Sequence, residues 1–304
     1  MDFQGGPLDD AFNPPARYLL ESDSEDELGD DISSVSRRRS TEPKDYTISS
    51  DVSKSYGAGG EMHLIVCIGL AAQRVMPSLS GSETAKEVDV KIGDISVAAF
   101  ATLSPTVSLL SVSSTLPVTT HSTLSRWIID TVAPTRLTII DVYPIPNYIE
   151  SKTTIPSRLI RYLRTSPSGL HADSLPSKVQ SFAPPNLLST QTLSSSLLCL
   201  AQQSHLAPNT ILRQPTLLLL LPYPHIQRMP PRTLTHDAQY TRGGARDFDN
   251  LQSIWTLEDM QVVYQALDIE HAGVTFVPGG HQKSNFGVNQ TNSRHSMADN
   301  SMYI

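Results

Sequence analysis

Between residues 61 and 270 the apolar positions recur with two different periods, and the changes of period predict the elements. Leu124, Trp127, Ile128 and Val132 stand at i, i+3, i+4 and i+8, one face of a 3.6-residue repeat, which predicts a helix. Ser122 is the expected N-cap, since its hydroxyl can accept from an unpaired N–H of the first turn. Pro134 ends the helix, because the residue before a proline is pushed out of the α region. Leu137–Tyr143 then changes to a run rich in β-branched residues, a strand apolar enough to be buried on both faces. A helix feeding a buried strand through a short turn is half of an α/β layer.

The same reading extends along the chain. Met62–Gly69 reads as a buried strand. Val88, Val90 and Ile92 alternate with Asp89 and Lys91, the period-two mark of a half-exposed strand. Gly93-Asp94 is a two-residue hairpin turn, with glycine supplying positive φ, and Ile95–Leu103 is its return strand. Val107–Val112 is a further strand. Thr190–Leu206 reads as a helix with Leu193, Leu197 and Leu200 on its core face, and the leucine run 217–221 between two prolines as a short central strand. Thr256 caps a last helix, with Asp259 three positions on and Met260, Val263, Tyr264 and Leu267 as its apolar stripe. Two proline- and serine-rich stretches, 144–185 and 223–253, read as long loops. The fold class expected is α/β: a single domain, residues 61–270, with a mixed central sheet of five or six strands and three flanking helices. An acidic, serine-rich disordered tail is expected over 1–60, and a flexible one over 271–304.

Composition changes this picture little. Hydrophobic residues make up 39% and charged residues 17%, a normal core diluted by polar, uncharged segments. The net charge of −7 argues against a nucleic-acid partner, which calls for a basic patch or stripe. The longest leucine run is too short to span a bilayer and no apolar leader is evident, so a cytoplasmic protein with no membrane partner is expected, with the nucleus a second compartment. Cys67 and Cys199 both stand in apolar surroundings and are expected to be buried free thiols.

Catalytic and metal-ligating motifs are missing. None of the nine histidines forms an H-x3-H or H-E-x-x-H pair, and there is no C-x-x-C, G-x-S-x-G or phosphate-binding loop. No cofactor or metal is expected. Asp130 and Asp141 are the carboxylates set in strongly apolar segments. Asp141 interrupts a buried strand, so it must be paired or lie near the strand's end. Bonding to loop backbone is the expected role, and a strand-end ligand site is the alternative. In the first tail, Ser22 and Ser24 each have an acidic residue three positions on, and Ser40 follows three arginines, which makes all three candidates for phosphorylation.

The chain closes on Met302-Tyr303-Ile304, a hydrophobic–tyrosine–any tripeptide. Such an end can be captured: a carboxylate offers charge to a lysine or backbone donors, the tyrosine ring fills a slot, and the methionine adds burial. About 34 tail residues would carry it on the order of 30 Å.

Taken together, His63–Gly69, the strands through Gly93–Ala99, Trp127–Asp130 and Thr138–Tyr143, with the acidic cluster Glu21–Glu27 and the terminal tripeptide, resemble the proteasome assembly chaperone 1 family in its fungal form. The resemblance covers most of 62–270 and the last three residues. It implies an α/β domain that pairs with a related second chaperone as a heterodimer. It implies that this heterodimer binds proteasome α subunits on the outer face of the core-particle precursor. Met302 would be the hydrophobic anchor, Tyr303 the tyrosine, and Ile304 the carboxylate donor to a pocket lysine between neighbouring α subunits. Two other classes compete: a hydrolase- or phosphorylase-like enzyme using a site near Asp141, and a signalling adaptor acting through a phosphorylated tail.

Overall fold

The computed structural model describes residues 46–50, 52, 61–80, 87–113, 116–148, 159–165, 175–183, 192–207, 212–225, 230–235 and 254–276. The structural statements below are made of these residues. Eleven strands occur among them: β1 (Ile48–Ser49), β2 (His63–Ile68), β3 (Leu79–Ser80), β4 (Glu87–Ile92), β5 (Ile95–Ser104), β6 (Val107–Val112), β7 (Arg136–Pro144), β8 (Ile160–Arg164), β9 (Val179–Ser181), β10 (Leu217–Tyr223) and β11 (Thr275–Phe276). The α-helices are α1 (Leu70–Val75), α2 (Val118–Arg126), α3 (Leu193–Leu206) and α4 (Leu257–Leu267).

Nine strands form one mixed sheet in the order β1-β4-β5-β6-β2-β7-β10-β8-β9. Its centre is parallel: β2 pairs with β6 and β7, and β7 with β10. The flanks turn antiparallel through the hairpins β4–β5 and β5–β6 on one side and β8 against β10 on the other. The central strands are buried on both faces, as their continuous apolar runs require. Alternate residues of each strand serve two separate cores. Leu64, Val66, Leu137, Ile139, Leu218 and Leu220 face α2 and α3 with Leu124, Ile128 and Leu197. Ile65, Cys67, Ile140, Leu219 and Leu221 face α1 and α4 with Val75, Met260 and Val263. The result is three layers, helices on each side of a sheet. Each fully buried aliphatic side chain in such a core contributes roughly 1.5–3 kcal/mol.

The Gly93-Asp94 turn is present, with Gly93 at φ 59°. The capping box of α4 is also present: Thr256 Oγ1 accepts from Asp259 N at 3.3 Å, and Asp259 Oδ2 accepts from Thr256 N at 2.9 Å.

Several expectations are corrected. Ser122 is not a cap; α2 begins at Val118 with Pro117 at the N-cap, and Ser122 lies exposed on its second turn. The early start is held by polar groups that carry no apolar stripe: Thr120 Oγ1 donates to Pro117 O at 2.7 Å, and His121 Nε2 lies 3.2 Å from Leu116 O. Leu124, Trp127, Ile128 and Val132 are buried together as expected, but Trp127–Val132 winds as a π-helix that Ala133 ends at φ 52°. In α3 the cap is Thr192, and Ala201, not Leu200, completes the buried stripe. The stretch 144–185 contributes β8 and β9, so the basic residues Arg161 and Arg164 belong to a strand. Both expected tails reach into the domain. Ile48–Ser49 pairs with β4, with Val52 buried, and Thr275–Phe276 pairs with β3. Cys67 is buried, but Cys199 is exposed.

Candidate functional site

β7 lies at the centre of the sheet and carries both polar groups that interrupt it, Thr138 and Asp141. They are three residues apart, so they point to opposite faces. Asp141 points toward α3. Its Oδ2 accepts from Ser194 Oγ at 2.6 Å, and its Oδ1 from Val142 N at 2.8 Å. Ser194 occupies the first turn of α3, where Thr192 Oγ1 also accepts from Ser195 N at 3.2 Å. Thr192 Oγ1 also lies 3.1 Å from Ser194 Oγ, from which it accepts, and donates to Ser195 Oγ at 3.0 Å. Ser195 Oγ donates to Thr192 O at 2.8 Å.

The carboxyl of Asp141 is therefore closed in by hydroxyls at a helix N-terminus. Burial pushes its pKa up to about 6, against the pull of the Ser194 and Val142 hydrogen bonds. Desolvation wins here although a hydrogen bond to a charged group contributes about 1.5–3 kcal/mol. Both carboxylate oxygens are engaged and the residue is buried, so no side of it faces a substrate. The partner also differs from the one expected: it is a helix 53 residues downstream, not loop backbone. Asp130 projects from the π-helix into solvent.

On the other face, Thr138 Oγ1 meets His63 Nε2 at 2.9 Å. Burial, with the Arg136 charge adding to it, lowers the His63 pKa to about 3, so the imidazole is neutral at physiological pH. Arg136 opens β7 and reaches the end of α4, where its Nη2 donates to Leu267 O at 3.1 Å and its Nη1 lies 3.5 Å from Asp268 Oδ2. A cation at the last carbonyls of a helix complements its dipole.

A third cluster sits just past the end of β7. The rings of Tyr143, Tyr148 and Phe182 meet with centroids 5.0–5.8 Å apart, and the Arg161 guanidinium lies 4.0 Å above the Tyr148 ring. Tyr143 donates to Leu159 O and Tyr148 to Ala183 O, each at 2.8 Å. These contacts tie Tyr148, Leu159 and Phe182–Ala183 to the end of β7, beside the strands β8 and β9. Sequence reading missed the cluster and the Ser194 contact. The available signal for the second was a threonine before three serines at a helix start, a cap with hydroxyls to spare.

The residues singled out for docking and modification, Met302, Tyr303, Ile304, Ser22, Ser24 and Ser40, lie outside the described residues. Among the described residues no group of three or more His, Cys, Asp or Glu side chains is placed to hold a metal ion. No helix among them is long and apolar enough to cross a membrane.

Comparison with known proteins adds little to this geometry. No family model matches the chain, and no curated protein matches it. Among solved structures, the chain is similar to a protein of unknown function from Thermoplasma acidophilum, at 12% identity and a TM-score of 0.35, over 72% of this chain and 88% of that one. At that score the likeness carries no argument.

Proposed function

We propose that this protein is a non-enzymatic assembly chaperone for the proteasome core particle, acting on α subunits of the precursor as a heterodimer with a related chaperone. The observation that carries this reading is the way the resembling segments come together. His63–Gly69 forms β2 and its exit, Gly93–Ala99 the β4–β5 turn and first half of β5, Trp127–Asp130 the π-helix, and Thr138–Tyr143 the core of β7. These are elements of one α/β domain, with β2 and β7 paired at its centre. The closed setting of Asp141 weighs against an enzyme built around that residue. In this reading the domain is a scaffold, Met302-Tyr303-Ile304 is the docking element, and the protein works in the cytoplasm and nucleus.

The test is capture of purified α-ring precursor by the chain and by its Tyr303→Ala variant, each co-expressed with the related chaperone. A drop of tenfold or more, with the heterodimer intact, supports the docking role. Unchanged capture removes the tripeptide from the reading and leaves the domain as the contact. No capture by the unaltered chain sinks the chaperone reading.

A further inference from the structure

Four O···O contacts run from β7 through the first turn of α3. Asp141 Oδ2 lies 2.6 Å from Ser194 Oγ, Ser194 Oγ 3.1 Å from Thr192 Oγ1, Thr192 Oγ1 3.0 Å from Ser195 Oγ, and Ser195 Oγ 2.8 Å from Thr192 O. Each contact needs one proton. The three hydroxyls supply three, because a serine or threonine has a single O–H to give. Ser194 shows the shortage directly, standing as donor both to Asp141 and to Thr192. A proton on Asp141 Oδ2 completes the count. The acid then donates to Ser194, Ser194 to Thr192, Thr192 to Ser195, and Ser195 to the Thr192 carbonyl, so that every hydroxyl both gives and accepts. Asp141 Oδ1 keeps its bond from Val142 N in either state.

We propose that Asp141 and these hydroxyls form a proton-operated latch: while the carboxyl holds its proton the first turn of α3 is closed on β7, and loss of the proton loosens that turn. Ionised, Asp141 keeps two donors, Ser194 Oγ and Val142 N, and one of the remaining contacts goes unfilled. Nor does the charge meet a counter-charge among the described residues. To this face β2 turns Val66 and Ile68, and β10 turns Leu218 and Leu220. On β7 itself the Tyr143 phenol donates to Leu159 O. The helix α3 has no Asp, Glu, Lys or Arg; its Cys199 is exposed and its His205 stands in the last turn. Arg126 of α2 and Asp130 of the π-helix lie at the surface, and the buried His121 ring is set against Leu116 O. Arg161 of β8 is the cation on this face. It is in register with Asp141 across Leu220, roughly 10 Å away. Its guanidinium lies over the Tyr148 ring and donates to Ser181 O. Burial accordingly raises the Asp141 carboxyl to about 6, so the latch changes state just below neutral pH. The ionised carboxylate needs water, and the strands cannot yield to admit it, since β2 and β10 hold β7 on both sides. The first turn of α3 can. It is held by the buried Leu193 and Leu197 and by one bond to α2, from Ser125 Oγ to Ser196 Oγ at 3.3 Å. This inference stands apart from the chaperone reading, and its test needs neither proteasome subunits nor a second protein.

The experiment is amide hydrogen exchange on the full chain, each rate divided by that of an unstructured amide at the same pH. The amides to follow are those of Ser195 and Ser196, which donate to Thr192 Oγ1 and Thr192 O, and of Leu197 behind them. The closed turn holds the Asp141 proton more tightly than the open one. Opening therefore becomes more frequent as the pH rises from the ordinary carboxylate range to 6 and is constant above it. Protection of these amides should be about tenfold higher at pH 5 than at pH 7, and equal at pH 7 and pH 8. Asp141→Asn sets an amide N–H where the acid has its O–H, so the relay stays complete without a charge. In that variant the same amides should keep one protection factor at every pH. The carboxyl carbon of Asp141, followed by NMR, should titrate near pH 6. A wild-type protection ratio of one overturns the proposal, whether or not the variant folds. So does a ratio that Asp141→Asn reproduces, since another group would then be the cause. A carboxyl midpoint at the ordinary carboxylate value overturns the proton count on which the latch rests.

Discussion

Each face of the central sheet buries an ionisable group on a central strand, Asp141 on one and His63 on the other, and acid acts on these two in opposite senses. Facing α3, Asp141 holds its proton more tightly in the fold than in the open chain, with a pKa raised from 3.8 to about 6. Facing the α1 and α4 layer, His63 holds its proton less tightly, lowered from 6.5 to about 3. For Asp141 the folded state binds more protons, so its contribution to stability grows as the pH falls through 6 toward 4. For His63 the unfolded state binds more protons, so stability is lost as the pH falls below 6.5. Each polar residue sits among aliphatic neighbours with a single hydroxyl partner from another element. The lesson lies in the partner: Ser194 donates to a group that can be charged, while Thr138 bonds an imidazole that must stay neutral.

The coarsest way to break this contrast is to damage one layer. Trp255 is fully buried on the α4 side, and its Nε1 donates to Pro222 O at 2.6 Å. Trp255→Ala should cost about 3–5 kcal/mol, read as a shift of the urea midpoint. The contrast itself is sharpened by titrating stability between pH 7 and pH 5. The wild type gains roughly 1.4 kcal/mol from Asp141 over this interval and loses roughly 2 kcal/mol from His63, so the two nearly cancel. Relative to wild type, His63→Asn should therefore become more stable on acidification and Asp141→Asn less stable. Equal pH slopes in all three proteins would show that neither group carries its shift. The smallest effect belongs to the charged edge of the α4 layer: Thr256→Ala removes the capping box and should cost about 1 kcal/mol at either pH.

The elements that sequence reading located are those whose side chains advertise their surroundings. β2, β7 and β10 are unbroken apolar runs because both faces are covered, and β4 alternates because one face is not. The α4 cap is a local motif of four residues and was legible as such. β8 was not, since Arg161, Tyr162 and Arg164 look like loop residues until the Tyr148 ring and the carbonyl of Ser181 are brought to Arg161. The start of α2 was hidden for a related reason: Thr120 and His121 are buried by hydrogen bonds, which no hydrophobic period records. Asp141 was legible as an anomaly, and its partner was not, because only the parallel crossover brings residue 194 beneath residue 141. The exposure of Cys199 followed from one residue of phase, the stripe closing on Ala201 in place of Leu200.

The parallel centre of the sheet also sets a timetable for the nascent chain. β2 finds β7 only at a separation of 73 positions, the separation at which Thr135 Oγ1 lies 2.9 Å from Met62 N and 3.0 Å from Met62 O. β7 in turn waits for β10, from residue 144 to residue 223. At about 5–20 residues per second the ribosome needs roughly 4–16 s to make that stretch. For that time Leu137 and Ile139 have one open edge and no α3 above them. A domain built this way keeps a central strand half paired through its own synthesis, the interval in which an unpaired parallel edge is most exposed to wrong partners.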